Sequence, residues 1–156
     1  MPLNKLKAFL DDHNIRYISI KHSKAYTAQE IAESVHIPGK EVAKTVMIKI
    51  NGQMAMAVLP ATERVDFDLL KSVAGTQNVQ LAGEEEFKNL FPECEAGAMP
   101  PFGNLYGMEV YVEKSLARDK EICFNACSHT EILRLSYADY ERLAHPRQAR
   151  FSTANY

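Results

Sequence analysis

The chain has 156 residues, of which 46% are hydrophobic and 24% are charged, values that are ordinary for one globular domain. Lysine and arginine total 18 against 20 aspartates and glutamates, so the net charge of -2 excludes the strongly basic composition of a non-specific nucleic-acid binder. No apolar run approaches the roughly 20 residues of a membrane span and no signal peptide is visible, so we expect no membrane association. Three cysteines, an odd number without a signal, indicate a reducing compartment and a cytoplasmic location.

The first half of the chain contains the clearest local signals. Helical spacing of leucine and phenylalanine predicts a helix over residues 3–12, and a β-strand follows over 15–20. Thr27 and Glu30 fit a capping box at the start of a second helix. Two β-rich runs over 42–59 flank an Asn-Gly dipeptide and predict a tight hairpin.

The second half mixes helices and strands without strict alternation. A helix is predicted over 66–74 with Gly75 as its stop, and a long loop extends from 92 to 107. Further strands are predicted at 79–81, 108–112, 121–126 and 131–135, and further helices at 84–90 and at 137–144 after Ser136 as cap. This order predicts one α+β domain over residues 1–156, built on a mixed, mostly antiparallel sheet.

Lys44 lies on the more apolar face of its predicted strand, because alternate residues of a strand share a face. The residues that share this face are Val42, Val46, Ile48 and Ile50. A lysine in such a place extends its ammonium to solvent, pairs with an acid, or supplies its charge to a cavity. Lys44 is therefore a candidate functional residue, with an ordinary strand-end lysine as the alternative.

The segment 95–103 has the composition of a loop with a fixed shape. It contains two glycines, the adjacent Pro100 and Pro101, and Phe102. Exposed amides of such a loop could bind an oxyanion or a carbonyl without a charged side chain. The alternative is a structural loop that packs over the sheet with Phe102 as its anchor.

The stretch 123–129 contains two thiols and an imidazole, those of Cys123, Cys127 and His129. In an extended strand these positions spread over about 20 Å at ~3.3 Å per residue, and no second ligand pair completes a metal shell. We therefore expect no metal and no cofactor. A thiol hydrolase that uses Cys127 and His129 is a further alternative. His22, at the end of a predicted strand, is a candidate pocket residue or a packing histidine.

Three segments together resemble one known family. Val42-Ala43-Lys44-Thr45-Val46, the loop from Gly97 to Pro101 with Phe102-Gly103, and the stretch from Phe124 to His129 resemble the YbaK/prolyl-tRNA-synthetase-associated domain family over about residues 15–143. The resemblance implies a barrel-like sheet with surrounding helices and the hydrolysis of mischarged aminoacyl-tRNA. It implies that Lys44 is required for deacylation and that a ribose hydroxyl helps to position the water.

The resemblance also implies the residues of a substrate pocket. These are His22, Gly97, Ala98, Met99, Pro100, Pro101, Phe102, Gly103, Cys127, Ser128 and His129. Cys127 departs from the family, whose members usually have glycine there, so its side chain either narrows the pocket or points away from it. A small pocket would exclude bulky aminoacyl groups sterically.

The expected function is that of a freestanding, trans-acting aminoacyl-tRNA deacylase. The expected substrate is a small amino acid on the wrong tRNA, with tRNA for proline as the favoured one. The expected partners are the acceptor end of aminoacyl-tRNA and a prolyl-tRNA synthetase that delivers it. The alternative is a non-catalytic module of the same fold that binds charged tRNA or a synthetase.

Overall fold

The computed structural model describes residues 4–22, 37–92, 94–95 and 97–154. Helix α1 (Asn4–Asp12) confirms the first predicted helix and leads into strand β1 (Ile18–Lys21), which begins three residues later than the sequence predicts. The predicted capping box and its helix lie outside the described residues. None of the described helices is long and apolar enough to cross a membrane.

The predicted hairpin is confirmed in its bounds and its turn. Strands β2 (Ala43–Ile50) and β3 (Gln53–Pro60) pair antiparallel from Ile50–Gln53 to Ala43–Pro60. The turn residues Asn51 and Gly52 both have positive φ, at 52° and 81°. A two-residue turn with both residues in this conformation matches the twist of the flanking strands, which explains the register.

The remaining elements follow in chain order, with short 3-10 turns at Gly39–Glu41, Lys88–Leu90 and Gly103–Tyr106. They are β4 (Glu63–Val65), α2 (Phe67–Ala74), β5 (Val79–Leu81), α3 (Glu84–Phe87), β6 (Glu109–Glu113), α4 (Lys114–Ala117), β7 (Glu121–Ser128), β8 (Glu131–Ser136), α5 (Tyr137–Ala144), β9 (Arg147–Ala149) and β10 (Ser152–Ala154). The α2 and α5 helices begin at the predicted caps, since Asp66 and Ser136 each accept backbone hydrogen bonds from the first turn. The sequence patterns do not show β4, α4, β9 or β10, which are only three or four residues long.

The described strands form three sheets, and none of them is closed. The largest has the order β5-β2-β3-β6-β9, a second has β1-β8-β7, and β4 pairs with β10. The largest sheet is mixed, because β6 runs parallel to both β3 and β9. The α+β fold and the mixed sheet are as expected, whereas the barrel-like closure is wrong. Between the described strands of the two larger sheets, backbone pairing consists of an isolated parallel bridge between Val42 and Cys123.

Both faces of the β2–β3 hairpin are packed. Ala43, Met47, Met56 and Val58 face a core shared with β7, β8, α1 and α5. The opposite face, with Ile48, Ala55 and Leu59, packs against Leu70 of α2 and Phe151. Burial on both faces explains why β3 reads as a continuous apolar run in the sequence.

A buried carboxylate ties the C-terminal segment to the large sheet. Glu113, at the end of β6, accepts hydrogen bonds from the backbone amides of Phe151 and Ser152, each at 2.8 Å. It also accepts from the amide of Ser115, where it caps α4, and it shares the single hydroxyl proton of Ser152 with Glu63. Because four donors surround the carboxylate, its burial is compensated.

Strand β7 ends in a β-bulge between Asn125 and Ser128, where its pairing with β8 shifts register. Cys127 lies in this bulge with a φ of 66°, and its sulfur is bonded to Cys94. No local pattern in the sequence indicates this disulfide, and the odd cysteine count therefore does not establish the expected reducing compartment. The disulfide directs the Cys127 side chain toward Cys94.

We expect Asp119→Asn to stabilise the protein at neutral pH. Burial, followed by the nearby Glu41, raises the pKa of Asp119 to about 6, and its Oδ2 atom has no hydrogen-bond partner among the described residues. Because the folded state holds this proton more tightly, stability falls as pH rises from about 4 to about 6. Since the carboxyl is partly exposed, solvent screening limits the gain to at most about 1 kcal/mol, or about 2–4 °C in Tm.

The measurement is the Tm of both proteins by thermal denaturation at pH 7.5 and below pH 4. The gain should be present at pH 7.5 and absent at the acidic value, where the aspartate is protonated in both states. Equal Tm values at pH 7.5 would contradict the assignment of an unfavourable charge to Asp119.

We expect the Cys94–Cys127 disulfide to stabilise the fold by about 4 kcal/mol, because it closes a loop with a sequence separation of 33. Reduction with dithiothreitol should therefore lower the Tm of the wild-type protein and leave the Tm of Cys94→Ser unchanged.

In the Cys94→Ser background, we expect Cys127→Gly to raise the free energy of unfolding by about 1 kcal/mol, since glycine adopts a φ of 66° without steric cost. The measurement is the Tm of the single and the double variant. A loss of stability in that double variant would show that the thiol packs favourably in the bulge.

Candidate functional site

Lys44 is partly buried on β2, opposite Leu59 of β3. Burial lowers the pKa of Lys44 below its usual value, and the nearby Glu63 opposes part of this effect. No carboxylate of the described residues lies within ion-pair distance of its ammonium; by contrast, Lys49 on the same strand pairs with Glu86. Lys44 is thus a desolvated cation beside packed apolar residues, as its position in the sequence suggested.

Glu63 accepts hydrogen bonds from two serine hydroxyl groups. Its Oε1 contacts the Ser152 hydroxyl at 2.5 Å and its Oε2 accepts from Ser115 at 2.9 Å. Glu63 forms no ion pair with Lys44 and acts on its pKa through space.

The loop segment 97–103 is mostly buried. Ala98, Met99 and Phe102 are at most 5% exposed, and Pro100, Pro101 and Gly103 are buried too. Phe102 makes edge contacts with Phe124 and Tyr140, and the Tyr140 hydroxyl donates to the Pro101 carbonyl at 2.9 Å. From Ala98 to Gly103 the loop is an anchor in the core, which supports the structural alternative for these six residues.

Gly97 is the exposed residue of this segment and has a φ of 82°. A Cβ atom built on Gly97 would lie 3.6 Å from Cε1 of His129, so the loop backbone and this imidazole are neighbours. The positive φ and the close approach explain why glycine occupies this position. The structure therefore joins two of the candidate residues, Gly97 and His129.

Hydrogen bonds fix the loop to the bulge of β7. The Cys127 amide donates to Ala98 O and the Glu95 amide donates to Cys127 O, at 2.9 and 3.0 Å. The carboxylate of Glu95 accepts from the amide of His129 at 3.2 Å. Together with the Cys94–Cys127 bond, these contacts hold Gly97 in place beside His129.

Two other candidates lie at the β7–β8 turn. The Ser128 hydroxyl contacts Thr130 Oγ1 and accepts from the Thr130 amide, so it closes the turn. The amide of His22 donates to Thr130 O at 2.8 Å, which places His22 beside the same turn. His22 and His129 are thus brought to one end of the β1-β8-β7 sheet, while the hydroxyl of Ser128 serves the turn.

Neither buried sulfur has the character of a catalytic thiolate. Cys127 is bonded to Cys94, and burial raises the pKa of Cys123 to about 12. The thiol-hydrolase alternative therefore lacks a free thiolate in this structure. Over the described part of the chain, no three histidine, cysteine, aspartate or glutamate side chains are grouped as metal ligands.

Sequence reasoning missed Asn125, which lies two residues after Cys123 and is the last paired position of β7 before the bulge. Its Oδ1 atom is buried and has no hydrogen-bond partner among the described residues. The sequence feature that could have identified Asn125 is a polar residue within an otherwise apolar strand. Alternation alone could not show that its oxygen is buried.

Sequence reasoning also missed a cavity of about 700 Å³ next to Glu63. Its lining includes Glu113 and three cations: Lys114, Arg118 and Arg150. All three cations are exposed, and none forms an ion pair with a described residue. They come from α4 and from the loop before β10, so only the fold brings them together.

The fold is similar to those of solved structures. A crystal structure of the hypothetical protein APE2540 superposes with a TM-score of 0.85 at 20% identity, over 96% of this chain and 99% of that one. A candidate trans-editing enzyme for prolyl tRNA synthetase superposes with a TM-score of 0.83 at 16% identity, over 98% of both chains. At these identities the likeness shows the fold.

Sequence relatives lie within larger proteins. The proline--tRNA ligase of Staphylococcus saprophyticus is 32% identical over 94 residues, which are 60% of this chain and 16% of that protein. The proline--tRNA ligase of Staphylococcus aureus strain Newman is 36% identical over 64 residues, 41% of this chain and 11% of that protein. The chain thus spans less than a fifth of the length of these curated relatives.

The model of the aminoacyl-tRNA editing domain matches residues 22–143, which contain Lys44, Gly97 and His129. The match covers most of the chain and agrees with the fold of the structural neighbours. The chain therefore belongs to the aminoacyl-tRNA editing domain family.

Proposed function

We propose that this protein is a trans-acting deacylase that hydrolyses the ester of a small amino acid wrongly attached to tRNA for proline. The observation that carries the proposal is Lys44, a partly buried ammonium without a carboxylate partner among the described residues. Family membership and the relation to proline--tRNA ligases support the substrate class. The expected cytoplasmic location follows from that substrate and stays a prediction.

The proposed reaction needs positioning more than a strong nucleophile, because an aminoacyl ester is already activated. Water attacks the ester carbonyl, the bond from the acyl carbon to the ribose oxygen breaks, and a free amino acid and tRNA leave. Lys44 supplies a compact cation to a phosphate or to the developing oxyanion. In the proposed reaction Gly97, with its exposed backbone, and the neighbouring His129 contact the aminoacyl end, and the disulfide holds these two residues in place.

The buried part of the loop has a supporting role in this proposal. This part anchors the loop that carries Gly97. Phe102 packs against Tyr140, and the Tyr140 hydroxyl donates a hydrogen bond to the carbonyl of Pro101. Met99 is buried in the same core. Because residues 98–103 are buried, we propose that a backbone amide at Gly97, and not one from the rest of the loop, contacts the developing oxyanion. The non-catalytic alternative predicts binding of charged tRNA without loss of the ester.

We expect Lys44→Ala to reduce single-turnover deacylation by about 10²-fold or more, as for the loss of one electrostatic stabiliser. The Tm should hold or rise slightly, because an unpaired and partly desolvated charge is removed. Lys44→Arg should also be poor, since a planar guanidinium does not replace a compact ammonium. The measurement is ester loss from alanyl-tRNA for proline, without any synthetase, beside the thermal denaturation of each variant.

The matched control is Lys49→Ala, which removes a lysine of the same strand that pairs with Glu86. It should lose a little stability and keep its turnover. Near-wild-type turnover in folded Lys44→Ala would refute the proposed mechanism. Tight binding of charged tRNA by a wild-type protein that leaves every ester intact would favour the non-catalytic module.

We expect tRNA binding to depend weakly on salt, with a slope of log K against log salt of about -3. Because the net charge of the protein is -2, only local groups of cations can contact phosphates. The cavity near Glu63 has three such cations, Lys114, Arg118 and Arg150. Replacing all three by glutamine should make the slope shallower by about 2 to 3.

The control replaces Arg16, Lys88 and Arg142 by glutamine, which changes the net charge equally at exposed sites elsewhere. Both triple variants are compared with wild type by tRNA titration between 50 and 300 mM salt. A slope of about -6 in wild type, or the same change of slope in both variants, would contradict a phosphate site at this cavity.

A further inference from the structure

The Cys94–Cys127 disulfide joins a partly exposed cysteine to a buried one. Cys127 is 1% exposed, whereas Cys94 is partly exposed and lines a cavity of about 160 Å³. The lining also includes Glu84, Lys88 and Glu95, all of them exposed, so this cavity borders solvent. A thiolate from solution therefore has access to the bond from the Cys94 side, with Cys127 as the leaving group.

The disulfide is part of the attachment that holds Gly97 against His129. Hydrogen bonds connect the same two segments, since the Cys127 amide donates to Ala98 O and the Glu95 amide donates to Cys127 O. The His129 amide donates to the carboxylate of Glu95. These three bonds and the disulfide enclose Gly97, whose backbone approaches the His129 ring. The disulfide is the covalent member of this set.

The backbone of Cys127 opposes the attachment. Its φ of 66° is unfavourable for a residue with a side chain, because the Cβ atom then crowds the backbone. The disulfide holds the residue in this conformation as long as the bond is intact. After reduction only the hydrogen bonds oppose the return of Cys127 to an extended conformation, so the bulge and the loop have a second state available.

We propose that the Cys94–Cys127 pair is a redox switch of the site, in which the disulfide holds Gly97 beside His129 for deacylation and reduction by a small-molecule thiol releases the loop and slows the reaction. This inference rests on the proposed deacylase function and adds its regulation. The disulfide is the active state because it fixes the two residues that contact the aminoacyl end in the proposed reaction.

The exchange needs a small-molecule thiol and its disulfide as co-reactants. The thiolate attacks the Cys94 sulfur, the bond between the two protein sulfurs breaks, and Cys127 leaves as a thiolate that takes up a proton. A second thiol molecule attacks the mixed disulfide at the sulfur of the first and releases the Cys94 thiol. The protein gains two electrons and two protons, and two thiol molecules become one disulfide; the reverse exchange restores the active state.

The test compares the oxidised and the reduced wild-type protein on alanyl-tRNA for proline. The protein is equilibrated with oxidised or with reduced glutathione and is then separated from it without air. Alkylation under denaturing conditions, read by mass spectrometry, should label all three cysteines of the reduced form and Cys123 alone in the oxidised form. Reduction should lower the single-turnover rate by about 10- to 100-fold, the cost of misplacing groups that position a substrate.

Two variants show whether this pair is responsible. Cys94→Ser should have the rate of the reduced wild type and should respond to neither form of glutathione. Cys123→Ala is the matched control, because Cys123 is buried in a separate apolar cluster and takes no part in the disulfide. This variant should keep the wild-type ratio between the oxidised and the reduced rate.

Amide hydrogen exchange shows whether the response is local. In the reduced wild type the amides of Glu95, Cys127 and His129 should exchange faster, because they form the hydrogen bonds between the loop and the bulge. The amides that pair β2 with β3 should keep their protection. A uniform loss of protection would overturn the proposal, because reduction would then act through the stability of the whole fold.

The remaining outcomes separate the switch from the proposed function. A disulfide that survives excess reduced glutathione in the folded protein, or equal rates for the two forms, would overturn the switch. A faster reduced form would overturn it too, because the bond would then restrain a movement that the reaction needs. If neither form hydrolyses the ester, the deacylase function fails and the control of deacylation fails with it, whereas the exchange of the loop amides still decides whether the pair governs the loop.

Discussion

The break in β7 between Asn125 and Ser128 is the constraint on which the arrangement of the site depends. With a φ of 66°, Cys127 turns its amide and carbonyl away from β8 and toward Ala98 and Glu95. A regular strand would have used the same groups for pairing, and the loop would have had no backbone partner in the sheet. The bulge thus converts the end of a strand into the support for Gly97 and brings it against His129.

The second element of the site, Lys44, depends on packing around β2. Because both faces of the hairpin are covered, a lysine in this strand is partly desolvated, and its pKa is lowered by burial. Glu63 is close enough to act on it, yet its oxygens accept from Ser115 and Ser152. A partly desolvated charge without an ion-pair partner costs stability.

The exposed cations are concentrated at one cavity. Lys114, Arg118 and Arg150 line this cavity, where Glu113 holds α4 and the C-terminal segment together. A chain with a net charge of -2 therefore has a local group of cations without a basic surface overall.

The sequence by itself determined the elements whose signals are local. The Asn51-Gly52 turn, the Asp66 and Ser136 caps and the parity of Lys44 each depend on neighbours within a few residues, and the structure has them as expected. Only the tertiary structure decided the open sheets, the Cys94–Cys127 bond and the burial of the loop after Gly97. These features join residues that are far apart in the chain, such as Cys94 with Cys127 and Ile18 with Arg134. No local pattern records such contacts, because the packing of the whole chain selects them.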